Sequence, residues 1–204
     1  MENTEKQNLA AFLSEIQMLK RLKHIGINLA GAEAPDSIAD HVCISAQIAY
    51  ILAYFEGADP EKCAAINLFH DNHEARIGDQ NKVSSRYIDT KQATLSAEND
   101  QLANLPSDLQ DKISLLLQQK HERKTKEGIV AQDADWLEQA IHAKTLLERG
   151  YQGCQIWIDN VEVALETDSA KEILKVIVSE PDFINCWWPK IQKMTYQKLN
   201  NLEN

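Results

Sequence analysis

The sequence predicts an all-α protein, a compact bundle of helices, and three observations support this fold class. Only 7 glycines and 5 prolines occur among the 204 residues. Residues with high helix propensity, mainly alanine, leucine, glutamate, glutamine and lysine, are plentiful. Apolar residues recur at helical spacing, and no alternating pattern is strong enough to indicate a sheet. We expect a single domain over residues 1–204 with a substantial core.

The first two helices are predicted from amphipathic spacing and capping residues. The first covers about residues 7–23, and its basic end, residues 20–24, either complements the helix dipole or faces an anionic substrate. After a loop, a second helix covers about 37–56 and is capped by Asp36 or Ser37. Its buried face is expected to contain Ile44, Ile48, Ile51, Leu52 and Phe55.

A third helix is predicted at about 60–73, because Asp59 can cap it and Pro60 suits its first position. Residues 80–90 are polar and irregular. The chain is helical again from about residue 91, and further helices are predicted at about 107–121, 127–149, 155–166 and 169–179. A last polar helix should follow Trp187-Trp188-Pro189. We interpret the C-terminal third, 151–204, as helices that pack on the rest, with both tryptophans in the core or in a dimer contact.

Composition argues against several classes of partner. The net charge of −10 argues against a protein that coats nucleic acid polymers. The N-terminus is polar and no apolar run looks long enough to span a bilayer, so neither a signal peptide nor a membrane segment is expected. The four cysteines show no CxxC spacing and suggest reduced thiols in a cytoplasmic protein.

One stretch, residues 69–79, concentrates the groups that can carry chemistry. It contains two histidines and three carboxylates and directly follows the apolar run 64–69. Burial of a carboxylate is costly unless the group is paired or binds a metal. We therefore interpret His70-Asp71 as a metal-binding pair. On spacing alone, the alternative that these are ordinary polar helix residues stays open.

Two further residues are candidate ligands for the same metal ion. His41 begins the helix that precedes His70, and Asp135 lies inside a partly apolar helix. Two imidazoles and two carboxylates suit a borderline divalent ion such as Mn, Fe, Co, Ni or Zn.

These residues resemble the H…HD…D signature of the HD-domain metal-dependent phosphohydrolases. Asp36-Ser37-Ile38-Ala39-Asp40-His41 resembles the E-S-(V/I)-(S/A)-(D/E)-H segment of the 5′-deoxynucleotidase branch. Residues 70–79 resemble its HDxxExxxGD motif, and residues 130–135 resemble its VKxxD helix. The resemblance covers about residues 15–150, which we expect to form the core around the metal site.

The resemblance implies one divalent ion held by His41, His70, Asp71 and Asp135. Asp133 is the competing choice for the last ligand, and Asp135 fits the family pattern better. The implied activity is removal of phosphate from a small phosphomonoester, a nucleoside 5′-monophosphate in this branch, by a protein that forms homodimers.

The resemblance also places Glu74 and Asp79 in the catalytic pocket. Glu74 would act as general acid or base, since it lies one helical turn beyond His70 if that helix continues. Asp79 would be a second carboxylate near the scissile bond or the sugar. The alternative for Glu74 is a surface salt bridge to Arg76 or Lys82.

One segment departs from the nucleotidase branch. His24 and Ile27 lie where that branch has an arginine for the phosphate and a tryptophan for the sugar. We expect His24, Lys23 or Lys82 to contact the phosphate instead. A non-catalytic nucleotide-binding or interaction protein of the same fold that retains the metal is the alternative function. Hydrolysis of cyclic nucleotides or guanosine tetraphosphate is a third.

Overall fold

The computed structural model describes residues 1–33 and 35–188, which form nine α-helices and no β-strand. The all-α prediction is therefore confirmed. In chain order the helices are α1 (Asn3–Ile16), α2 (Ile38–Glu56), α3 (Pro60–Phe69), α4 (Glu74–Ile77), α5 (Thr90–Leu102), α6 (Ser107–Glu122), α7 (Lys126–Glu148), α8 (Gln155–Ala164) and α9 (Asp168–Ser179). Short 3₁₀ helices cover Gln17–Lys20, Ile25–Ala30, Ser84–Arg86, Gln152–Cys154 and Phe183–Asn185.

Local sequence explains where the central helices begin and end. Ser37 and Asp40 form a capping box at the start of α2, in which each side chain accepts the other residue's backbone N–H. Asp59 caps α3 by accepting the N–H of Lys62. Gly57 ends α2 with a φ of 66°, a left-handed conformation that glycine adopts without steric cost.

Helices α2, α3 and α7 pack together at the centre, and α8 and α9 pack on α7. The largest buried cluster joins α2, α3, α7, α8 and α9 through apolar side chains. Its most enclosed members are Ala49, Leu52, Ala53, Cys63, Val130, Ala134, Leu137, Ala140 and Ala170. Because many of these side chains are small, the helix backbones can approach one another closely.

The predicted buried face of α2 is largely wrong. Leu52 is buried and Ile48 packs against the core, but Ile44, Ile51 and Phe55 are 46%, 52% and 66% exposed. The face that packs on α3 and α7 instead consists mainly of small or polar side chains. They include His41, Ser45, Ala46, Ala49 and Ala53. Hydrophobic spacing identified the helix, but close helix packing selected small residues for its interior.

Helix α2 also corrects the expectation that no apolar run is long enough to span a bilayer. It has 19 residues and a mean hydropathy of 1.4, so by length and composition it passes that test. Its packing partners are α3 and α7, and it carries His41 in its buried face. A helix at the centre of a globular bundle can pass the same test of length and hydropathy, so the test alone does not make α2 a membrane segment.

The third helix ends earlier than predicted, at Phe69 instead of about residue 73. The ring Nδ1 of His70 donates to the carbonyl oxygen of Asn67 at 2.8 Å. The following backbone bonds are of the shorter i to i+3 type, from Asn72 to Phe69 and from Glu74 to Asp71. His70 and Asp71 therefore lie in a tight turn between α3 and α4.

The two ends of the chain also differ from the predictions. α1 ends at Ile16 and continues as a 3₁₀ helix, and the predicted loop after Gly26 contains another. Trp187 and Trp188 are exposed, at 67% and 40%, so they do not belong to the core. The last predicted helix, after Pro189, lies outside the described residues.

Candidate metal centre

His41 is placed in the first turn of α2 by the capping box and is buried. Its Nδ1 lies 2.5 Å from a carboxylate oxygen of Glu138. Because an ionised carboxylate only accepts hydrogen bonds, the Nδ1–H of His41 is the donor. Its Nε2 consequently points to the two aspartates, 3.3 Å from Asp135 and 3.6 Å from Asp71. Burial lowers the pKa of His41, but the hydrogen bonds with Asp135 and Glu138 outweigh burial and leave the pKa well above its ordinary value.

His70 presents its Nε2 to the same point from the turn after α3. Its Nδ1 donates to the Asn67 carbonyl, which fixes the tautomer with a lone pair on Nε2. That Nε2 lies 3.1 Å from Asp71 and 3.8 Å from Asp135. Burial lowers the pKa of His70 to about 4, so the ring is neutral near pH 7 and able to act as a ligand.

Asp135 is held by three donors around its carboxylate. Lys120 of α6 donates at 2.8 Å, and the side-chain amides of Gln132 and Gln139 donate at 3.0 Å each. Burial would raise the pKa of Asp135, but Lys120 and His41 outweigh it and hold the pKa well below its ordinary value. Asp135 is therefore an ionised carboxylate in a buried position.

The four side chains fit a divalent cation. They converge from α2, the turn after α3, and α7, and the nitrogen–oxygen distances between them are 3.1 to 3.8 Å. Ligand atoms of His41, His70 and Asp71 lie within 4.8 Å of one another. Buried carboxylates and ring nitrogens face each other here, and the raised pKa of His41 shows that the cluster favours positive charge at this point. A cation in place of the Nε2 proton would satisfy all four groups.

Asp133, the competing ligand, points elsewhere. It is fully buried and accepts hydrogen bonds from the backbone N–H of Glu166 and from the N–H and hydroxyl of Thr167. The distances are 3.0, 2.6 and 2.7 Å. Because Thr167 is the residue that precedes α9, Asp133 joins α7 to the start of α9 and lies away from the cluster.

Glu74 and Asp79 lie beside the cluster, in one cavity with it. Glu74 is buried, and its Oε2 has no hydrogen-bond partner among the described residues. Burial, reinforced by Asp71 and Asp79, raises the pKa of Glu74 to about 10. Asp79 accepts the N–H of Ile25 at 2.6 Å, and burial raises its pKa despite that bond. Glu74 is thus a neutral carboxyl group that can donate a proton.

The alternative salt bridge from Glu74 to Arg76 or Lys82 is not formed in the structure. Arg76 instead pairs with Glu15 through two hydrogen bonds, at 2.5 and 3.0 Å. Although α3 does not continue to Glu74, the turn at 70–73 returns the chain so that Glu74 opens the short helix α4 against the cluster. The helical spacing from His70 to Glu74 correctly predicted that Glu74 lies near the cluster, but the two residues are joined by a turn and not by one continuous helix.

The cavity above the cluster has a volume of about 230 Å³. His24 lies in its wall with its ring centroid 4.6 Å from that of His41. Lys82 also lines it and is the one lysine or arginine among its described lining residues. Lys23 is exposed and lies outside this lining, so the structure brings only two of the three expected phosphate contacts to the cavity.

Three side chains at this site were assigned no role from the sequence. Glu138 pairs with His41, and its position one helical turn after Asp135 was a usable signal. Lys120 pairs with Asp135 from α6, and Trp157 of α8 lines the cavity. The last two come from distant parts of the chain, and only tertiary packing brings them to the site.

Comparisons with known proteins identify the family and the fold of this chain. A family model for the HD domain matches residues 16–177. A crystal structure from a genomics project is 29% identical, with a TM-score of 0.70 over 89% of this chain and 99% of its own. A conserved hypothetical protein from Pyrococcus furiosus is 24% identical, with a TM-score of 0.69 over 83% and 98% of the two chains.

A third similar structure is a predicted metal-dependent phosphohydrolase from Magnetospirillum magnetotacticum. It is 21% identical, with a TM-score of 0.67 over 87% of this chain and 92% of its own. At such low identity, this likeness and that to the Pyrococcus protein establish a shared fold. No curated protein matches the chain in sequence.

Proposed function

Because this chain belongs to the HD-domain family, we propose that it is a phosphohydrolase that depends on a divalent metal ion. His41, His70, Asp71 and Asp135 would hold the ion. The proposal depends chiefly on one observation, the convergence of these two imidazoles and two carboxylates beside the buried Glu74. The description of the similar Magnetospirillum protein supports the same reaction class. The proposed substrate is a small phosphomonoester, a (deoxy)nucleoside 5′-monophosphate.

Each step of phosphomonoester hydrolysis has a candidate group in the cavity. When bound, a divalent ion neutralises charge on phosphoryl oxygens and lowers the pKa of a water molecule. Glu74 carries the proton that the leaving alkoxide needs, because its pKa is raised to about 10. Lys82 supplies further positive charge from the wall of the cavity, and His24 offers a ring nitrogen there. Asp79 holds the backbone of Ile25 and with it the segment that carries His24.

Phosphate release from a panel of monophosphates, with Mn²⁺ or Co²⁺ added, tests this function. The Glu74→Gln variant should retain metal and lose about 100-fold or more of the turnover. Glu61→Gln, at an exposed position of α3, is the matched control and should behave as the wild type. If the wild type bound metal and released phosphate from no substrate, the alternative of a non-catalytic HD-domain protein that binds nucleotides would replace the hydrolase.

We further propose that the chain forms a homodimer through the exposed face of α2. This face contains Ile44, Tyr50, Ile51, Tyr54 and Phe55, all exposed and uncharged. Contiguous apolar surface of this kind is typical of interfaces. Light scattering after gel filtration should report a dimer for the wild type and a monomer for Ile51→Lys. Val163→Lys, at an exposed position of α8, is the control, and a monomeric wild type would contradict the proposal.

A further inference from the structure

A second cavity of about 420 Å³ adjoins the metal cavity. The two share four lining residues, namely Lys82, Trp136, Gln139 and Trp157. Beyond this shared wall the lining is mainly apolar and includes Leu29, Ile156 and Val161. The shared wall places an apolar compartment next to the metal cluster, within reach of a ligand anchored there.

Two indole rings, those of Trp136 and Trp157, belong to the wall that the two cavities share. Trp136 directly follows Asp135 on α7, and the Arg123 guanidinium lies over its ring, 4.6 Å from the centroid. Trp157 comes from α8 and packs against a separate buried cluster. Both rings are only partly buried, so each keeps surface that faces the cavities.

We propose that the second cavity is the subsite for a planar aromatic part of the leaving group, namely the base of a nucleoside 5′-monophosphate. The inference deepens the proposed function and rests on it for the position of the phosphate. Aromatic side chains stack on any nucleobase, because every base has a π face. The volume lies within the range of roughly 300–1,000 Å³ that is typical of small-molecule pockets. Trp157, which lines both cavities, is the side chain placed to stack on such a base.

The charges fit a ligand that has one anionic and one apolar end. The metal cluster and Lys82 lie towards one end, and the apolar side chains of α8 lie towards the other. Lys82 is the one charged side chain among the described residues that line the second cavity, and it lies in the wall shared with the metal cavity. A phosphomonoester without an aromatic group would leave this apolar wall in contact with water.

A comparison of adenosine 5′-monophosphate with ribose 5-phosphate tests the subsite by activity. The wild type should show a kcat/KM at least about tenfold higher for the nucleotide. Trp157→Leu should remove most of that preference. Asn160→Phe fills the cavity from an exposed position of α8 and should act in the same way without removing a packed side chain. Val163→Phe, on the same helix outside the lining, should keep the wild-type ratio.

A binding measurement separates failure of the subsite from failure of the proposed function. Adenosine, which has no phosphate, should quench tryptophan fluorescence of the wild type in the presence of EDTA, and Asn160→Phe should abolish this quenching. Quenching without turnover on any monoester would refute the hydrolase and leave the subsite supported. Turnover with equal kcat/KM for both substrates, together with no quenching, would overturn the subsite and leave the hydrolase supported.

Discussion

Asp133 and Asp135 lie two positions apart on α7, and their surroundings differ in kind. Asp133 accepts hydrogen bonds from three donors of Glu166 and Thr167 and is fully buried. Asp135 also has donors, but its carboxylate lies against Nε2 of His41 and Nε2 of His70. Two helical residues i and i+2 are rotated by about 200° around the axis, so one faces α9 and the other faces α2 and α3.

The comparison shows how a structural carboxylate differs from a ligand. Asp133 lies only among donors of the protein. Asp135 has as many donors, but it also lies against a second carboxylate, Asp71, and two ring nitrogens, which together form a set of metal ligands. Lys120 compensates part of this negative charge at 2.8 Å. The variants below test whether this difference governs metal binding, catalysis and stability.

Replacement of Asp71 by alanine should have the largest effect. Loss of one ligand is expected to remove metal binding and to lower turnover about 1,000-fold, equivalent to about 4 kcal/mol. Elemental analysis and phosphate release measure the two effects. The melting temperature of the variant should also stop rising with added Mn²⁺, because an ion that ties separate helices together stabilises only the folded state. An unchanged metal content would contradict the assignment of Asp71.

Replacement of Lys120 by methionine should destabilise the metal-free protein by about 3 kcal/mol, because it leaves Asp135 buried with less compensating charge. Saturating metal should reduce this cost, since the ion takes over the compensation of Asp135. Urea unfolding with EDTA and with Mn²⁺ measures the difference. An equal cost in both conditions would mean that Lys120 stabilises the fold independently of the metal site.

Replacement of Asp133 by asparagine should lower the free energy of unfolding by about 2 kcal/mol, because an amide accepts less well and one of the three donors loses its partner. Metal content and turnover per folded molecule should stay at the wild-type level. Urea unfolding and elemental analysis provide the measurements. A loss of metal from this variant would reverse the roles that the structure assigns to the two aspartates.

Replacement of Glu138 by glutamine should have the smallest effect of the four. The amide still fits beside Nδ1 of His41 but no longer offers a charged acceptor. A partner of this type typically changes metal affinity by about 10-fold to 100-fold, and we expect a value near the lower limit. Competition with a chelator measures the affinity. Unaltered affinity would show that Glu138 does not orient His41 for the ion.

Short-range features of the site could be read from the sequence. The adjacency of His70 and Asp71, the capping box before His41 and the turn at Gly78 depend on neighbouring residues, and the structure contains all three. Capping and turn interactions join residues only a few positions apart, so the residues that form them can be recognised in the sequence. The length of α3 was overestimated because the bond from His70 to the Asn67 carbonyl ends the helix early.

Long-range features could not be read in this way. Periodicity marked α2 as a helix, but the choice of its buried face depended on how closely α3 and α7 approach its small residues. The same holds for Lys120 and Trp157, whose helices reach the site from distant positions in the chain. Side-chain spacing within one helix contains no information about which neighbour will lie opposite.

By itself, the amino-acid sequence determined an all-α chain with two histidines and several carboxylates placed near helix ends, since propensity and capping are local. Tertiary structure alone decided that Asp135 joins His41 and His70 while Asp133 holds the start of α9. The physical reason is that hydrogen bonds and Coulomb forces between distant segments act only after helix packing has brought those segments within a few ångströms.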